Sequence, residues 1–155
     1  MLRAVGAITT LAAMEKPIIV RGRLLDHIQL VVSDLPASRR FYEAVFTALG
    51  IEIGGEGPGF FWADELFVSS VDSPAASGKP TGRAHLAFQA KDREHVDRLH
   101  AAATAAGGTD NGRPGPRPYH PGYYAAFVLD PAGNNIEFVH HGPATRSAEA
   151  IRITF

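Results

Sequence analysis

The residues best equipped for chemistry in this sequence are its histidines. There are seven of them and no cysteine. Thiol nucleophiles, thiolate zinc sites, iron–sulfur clusters and disulfides are therefore excluded together, and any metal must be held by imidazole, carboxylate or water. Two histidines stand apart by position. His27 opens His27-Ile-Gln-Leu-Val-Val-Ser-Asp34, and His85 opens His85-Leu-Ala-Phe-Gln-Ala-Lys-Asp92. Laid over one another, the two stretches stay in step: Arg40 meets Arg98, Ala44 meets Ala102, Ala48 meets Ala106 and Gly50 meets Gly108. Two modules of one architecture are the simplest account. Imidazoles at equivalent positions of such a repeat should converge near its pseudo-twofold axis.

Each module reads as a strand, a helix and further strands. Residues 27 to 32 alternate, with His27, Gln29 and Val31 opposed to Ile28, Leu30 and Val32; the second module opposes His85, Ala87 and Gln89 to Leu86, Phe88 and Ala90. Asp34 and Asp92 are placed to cap the helices that follow, and Pro36 suits a first turn. Phe41, Val45 and Leu49 form one apolar stripe, and Val96, Leu99 and Ala103 its counterpart. Gly50 and the Gly107-Gly108 pair are suited to end the helices. Ile51–Ile53, Gly59–Ala63 and Leu66–Val71 complete module one as strands. Tyr123–Leu129 and Asn135–His140, joined by the turn Asp130-Pro-Ala-Gly-Asn134, complete module two. Asn111–Gly122, with four prolines, is expected to be a rigid extended loop at a binding edge.

The rest of the composition narrows the function. With 15 Lys and Arg against 16 Asp and Glu, the net charge is -1. No field of that size holds a phosphate backbone or an anionic lipid surface, so neither nucleic acid nor membrane is expected as a partner. A hydrophobic content of 45% supports a compact domain. Residues 1–22 are expected to be an N-terminal extension, whose weakly apolar first 13 residues only faintly imitate a signal peptide. The domain is expected over 23–142, with module one at 24–75 and module two at 82–141, and residues 143–155 as a tail. A cytoplasmic location is expected.

The motifs His27-Ile-Gln-Leu-Val-Val-Ser-Asp-Leu, Phe41-Tyr42, Leu49-Gly50, His85-Leu-Ala-Phe and Leu129-Asp-Pro-Ala-Gly-Asn-Asn-Ile-Glu137-Phe resemble the vicinal oxygen chelate superfamily. That group holds glyoxalase I, extradiol dioxygenases and the fosfomycin and bleomycin resistance proteins. The resemblance spans about residues 24 to 141. It implies an α+β fold of two tandem βαβββ modules forming an open, curled mixed sheet. It also implies that His27, His85 and Glu137 hold a divalent metal (Fe, Mn, Ni or Zn), the carboxylate completing a facial triad with coordination positions left for substrate and water. Homodimers are implied as well, since members pair modules within or between chains.

Against glyoxalase I, the strand Leu66–Val71 contains no carboxylate where a fourth ligand would stand; Asp64 and Glu65 sit at its entrance. Against the extradiol signature, His120 has an allowed spacing before Asp130-Pro131, but Phe127 replaces the tyrosine. His120 is a candidate acid and base on a bound oxygen, and Tyr124, or its neighbour Tyr123, a candidate phenol. Trp62, beside Phe60 and Phe61, either lines an apolar pocket or packs in the core. Arg117, with Arg113, either meets an anionic substrate or is solvated. His95 and His100 are expected on a solvated helix face. Two functions follow from these residues. One is a metal-dependent dioxygenase-, glyoxalase- or lyase-like enzyme acting on a small molecule through vicinal oxygens. The other is a metal-free protein that sequesters a small molecule.

Overall fold

In the computed structural model, residues 18–21, 27–74, 76, 84–143 and 151–154 are described. Each module is one strand, one helix and a three-stranded meander. In module one these are β2 (Ile28–Val32), α1 (Leu35–Leu49), β3 (Gly55–Gly57), β4 (Phe60–Ala63) and β5 (Leu66–Ser70). In module two they are β6 (His85–Gln89), α2 (Arg93–Ala105), β7 (Thr109–Pro116), β8 (Tyr124–Leu129) and β9 (Asn135–His140). Each meander folds back so that its last strand lies parallel to the module's first, Ile28 opposite Leu66 and His85 opposite Asn135. The sheets run β2-β5-β4-β3 and β6-β9-β8-β7. This is the expected α+β pair of βαβββ modules, open rather than closed, built as two four-stranded mixed sheets. Two further strands, β1 (Ile18–Arg21) and β10 (Ile151–Thr154), pair antiparallel, so the segments assigned to extension and tail meet. Residues 1–13, the weak signal-like stretch, lie outside the described residues. No helix among the described residues is long and apolar enough to cross a membrane.

The helices form for the reasons their sequences suggest. Asp34 and Asp92 accept hydrogen bonds from the backbone N–H groups of Ala37 (2.9 Å) and His95 (2.6 Å), satisfying first-turn donors that no helical carbonyl can reach. Gly50 ends α1 at φ 77°, a conformation that costs glycine nothing. Where the expectation differs, the backbone explains it. Ile51 belongs to the helix end, its N–H bonded to the Phe46 carbonyl at 2.8 Å, so pairing begins only at β3. The first half of the proline-rich stretch, expected as loop, is strand β7. It lies at the sheet edge, where Pro114 and Pro116 owe no donor to a further neighbour, and irregular register between Asp110 and Gly115 absorbs the misfit.

The core lies between the two sheets' inner faces and their helices, and α1 and α2 pack against each other. Phe41, Tyr42 and Val45 of α1 and Val96, Leu99 and Ala103 of α2 are all fully buried. Gly108 marks the tightest crossing. A side chain there would stand 2.4 Å from Val128 and 2.6 Å from Phe41, so module one can enter module two only over a glycine. Two polar links cross the same boundary. Tyr42 donates to Asp130 at 2.7 Å. His95 is buried, contrary to expectation, because α2 turns it toward α1. Its Nδ1 accepts from the Lys91 N–H, and Nε2 therefore donates to the Ala48 carbonyl at 2.9 Å. His100 pairs with Asp110 at 3.0 Å.

Candidate functional site

Strand alternation gives each sheet an outer face, turned from the helices. On the second sheet, the parallel register places His85 of β6 beside Asn135 of β9, and the antiparallel register sets Phe127 of β8 directly opposite Glu137. The outcome is a connected polar cluster. Glu137 is only 5% exposed, yet its Oε2 lies 3.0 Å from His85 Nε2, and its Oε1 accepts from the Tyr123 hydroxyl at 2.6 Å. A carboxylate buried this deeply needs such partners. Behind the imidazole, Asn111 donates to Asn135 and Asn135 donates to His85 Nδ1 at 2.8 Å. That leaves the ring hydrogen on Nε2, given to Glu137. Burial, then the bond to Glu137 and its charge, push the Tyr123 hydroxyl up to about 12, so it acts as a donor at neutral pH.

The phenol that meets Glu137 is thus Tyr123 and not Tyr124. Adjacent strand residues face opposite ways, and Tyr124 points inward to donate to Asp97 of α2 at 2.9 Å. The Tyr123 ring is enclosed edge-on by three others: Tyr119 at 4.9 Å, His120 at 5.1 Å and His141 at 5.1 Å. His120 sits on the turn between β7 and β8. It reaches His141 because Gly122 and Gly142, both at positive φ, bring their backbones together; a side chain on Gly142 would stand 3.1 Å from Gly122. His120 Nδ1 faces the Pro121 carbonyl and so carries a hydrogen; His120 Nε2 accepts from His141 Nδ1 at 3.0 Å. His141 was not a sequence candidate. Its only signal was its place directly after the last strand, and a loop contact of this kind has no periodicity.

His27 and Trp62 lie elsewhere. His27 is exposed at the start of β2, on the face that also carries Gln29, bonded to Ser69 at 3.0 Å. Trp62, on the outer face of the first sheet, lies over Gly54 and Gly55, where any side chain would collide with its indole. Phe60 and Phe67 stack beside it at 5.0 Å. A cleft of about 760 Å³ runs between the modules, bordered by Asp64, Glu65 and Leu66 on one side and by β6, including His85, on the other, with Phe46 and Leu49 at its base. Asp64 and Glu65 thus line a space that His85 also lines, although the β5 strand itself contains no carboxylate. Arg117 lies over the Phe127 ring at 5.3 Å, and Phe127 lies beside His85 at 6.3 Å.

The donor set suits a divalent metal in part. His85 Nε2 and Glu137 Oε2 stand 3.0 Å apart, close to the separation of two neighbouring ligands each about 2.0–2.2 Å from one ion. Taking up an ion at Nε2 would move the ring hydrogen to Nδ1 and require Asn135 to present its amide oxygen instead. Among the described residues no group of three or more His, Asp or Glu side chains converges, so one chain brings together two of the three expected ligands.

Comparison with known proteins agrees with this architecture. Residues 24–138 match the family described as the Glyoxalase/Bleomycin resistance protein/Dioxygenase superfamily. A Pseudomonas aeruginosa protein, the uncharacterized PA2024, is 32% identical over 140 residues, covering 83% of this chain and 96% of its own length. The crystal structure of a glyoxalase/bleomycin resistance protein from Albidiferax ferrireducens is 31% identical, with a TM-score of 0.60 over 76% of this chain and 98% of that one. A lactoylglutathione lyase structure from Agrobacterium tumefaciens is 25% identical, with a TM-score of 0.56 over 76% of this chain and 93% of that one. The match spans both modules and the segment that carries His85 and Glu137, and this chain belongs to the Glyoxalase/Bleomycin resistance protein/Dioxygenase superfamily.

Proposed function

We propose that the chain is a divalent-metal-dependent enzyme acting on a small molecule that presents two neighbouring oxygens, of the dioxygenase or glyoxalase and lyase kind. The observation that carries this is the buried Glu137 carboxylate held between His85 and Tyr123 on an open sheet face. A buried carboxylate paired with an imidazole on a sheet face is a donor set suited to a metal ion. The similarity to a lactoylglutathione lyase points the same way. His85 and Glu137 would hold the ion, and His27 would join them from a second copy of the chain or by closure of the cleft between the modules. A bound ion would act as a Lewis acid toward the two substrate oxygens. Tyr123 keeps Glu137 oriented through its 2.6 Å bond. The His120 and His141 pair holds a hydrogen between two nitrogens at the rim of the same face, where it could exchange a proton with substrate.

Pairing of two chains belongs to this proposal. Among the described residues of one chain, the edge strands β2 and β6 are each hydrogen-bonded to a strand on one side only. Light scattering on a sizing column should show a dimer, and a strict monomer that still binds metal would remove the second copy from the scheme. The metal is tested by mass spectrometry of protein purified without chelator. Near-stoichiometric ion that His85→Ala loses supports the proposal; no ion after reconstitution refutes it. The second reading, a metal-free sequestering protein, is favoured by one observation: the aromatic face formed by Phe60, Trp62 and Phe67. Absent metal together with saturable binding of apolar ligands would select it.

A further inference from the structure

We infer that the outer face of the second sheet carries a seat for a carboxylate, built around Arg117, and that the small molecule bound beside His85 and Glu137 is anionic. The inference rests on the proposed function only for what the neighbouring pair does. The seat itself is made by this chain without any ion.

Arg117 is partly exposed, and its guanidinium is tied to the backbone. Its Nη2 donates to the Arg113 carbonyl at 2.7 Å and its Nη1 to the Pro116 carbonyl at 3.3 Å. Two glycines of β7 lie beside it. A side chain at Gly115 would stand 3.3 Å from Nη1, and one at Gly112 would stand 3.5 Å from Nη2 and 3.0 Å from the Phe127 ring. The guanidinium then lies over Phe127, which spaces it from His85 on one side and Glu137 across the ladder.

Charge decides what that arrangement is suited to hold. Arg113 leans toward Asp110 at 3.7 Å, whereas among the described residues Arg117 has no carboxylate partner. Glu137 does not need it, being bonded to His85 and Tyr123. Of five N–H donors on a guanidinium, two are tied to carbonyls, which restrains the plane and leaves three for a ligand. A fixed planar fork over an aromatic ring is the geometry that binds a carboxylate with two parallel bonds. Glu137 would repel an anionic group from its own corner, so substrate would lie with its neutral oxygens at the His85 and Glu137 pair and its carboxylate on Arg117.

Acetate is the probe, added to metal-free protein at constant ionic strength while the Arg117 Nε–H signal is followed by NMR. A saturable shift is expected. Arg117→Met should abolish the accompanying shifts at the Phe127 and His85 amides, and Arg117→Lys should weaken binding by about tenfold, since a point charge replaces the fork. A shift that grows without saturating in the parent protein, or amide shifts that persist in Arg117→Met, would overturn the seat. Should Arg117→Met not fold, the parent titration and Arg117→Lys decide alone. Metal uptake is measured on the same preparation. Acetate saturation without uptake refutes the metal proposal and leaves the seat; uptake without saturation does the reverse.

Discussion

The two modules share one backbone plan and have opposite outer faces. The first sheet presents Gln29 bonded to Ser69, with Phe60, Trp62 and Phe67 around them. The second presents His85, Glu137 and Tyr123, with the His120 and His141 pair at the rim. Inner faces cannot diverge in this way, because Leu30, Val68, Val128 and Phe138 must all fill one close-packed interior. Outer faces carry no such constraint. The repeat therefore keeps one scaffold with two different outer faces, and His27 is the first module's positional counterpart of His85.

The largest effect tests whether the modules are separable. Phe41 is fully buried and reaches Gly108 of the other module. Phe41→Ala should cost about 3–5 kcal/mol, and unfolding should remain one transition. Two resolved transitions in calorimetry would mean that each module folds alone and that the shared core is incidental. Next comes the asymmetry of the faces. Tyr123→Phe should weaken metal binding by about 10–100-fold, the usual consequence of removing a hydrogen bond that orients a ligand. Unchanged affinity by competition with a chelating dye would strip Tyr123 of that role.

The link between modules should also show in alkali. Burial, then the charge of Asp130 and the hydrogen bond to it, raise the Tyr42 hydroxyl well above its ordinary value. The folded chain therefore keeps this proton after the unfolded chain has lost it. The resulting stability is fully present below a pH of about 10 and falls as pH rises from there toward the folded value. Tyr42→Phe should cost about 1–2 kcal/mol at neutral pH and make the alkaline decline shallower. A decline of unchanged slope in denaturant titrations would assign it to other groups. The smallest effect sharpens the contrast from the other side. Trp62→Ala should leave metal content unchanged, and metal lost with Trp62 would mean that the two faces form one site.

Local chemistry made the modules legible before any coordinates. Asp caps, glycine helix ends, alternating strands and the Asp130 turn act over a few residues, and all can be read from neighbours in the chain. The turn shows how directly. Asp130 accepts from the backbone of Ala132 and Asn134 and from the Asn134 side chain, which is what that motif is suited to do. Edge effects were not legible in the same way. A proline-rich run reads as loop until a sheet supplies an edge for it, and β7 is that edge. The burial of His95 likewise depends on where α1 ends, far away in sequence.

For the site, repeat position marked His27 and His85, resemblance to the superfamily's motifs marked Glu137 and His120, and charge beside the proline-rich run marked Arg117. Strand parity, a property of the fold's register, decided between Tyr123 and Tyr124, because one residue of shift exchanges the faces. Close approach of two glycines brought His141 to His120, and the β7–β8 turn brought Arg117 over Phe127. The sequence by itself determined the elements and the inventory of reactive groups, since those follow from local backbone preference and side-chain chemistry. Only the tertiary structure decided which groups meet, because contacts between distant residues depend on how helices and sheets pack.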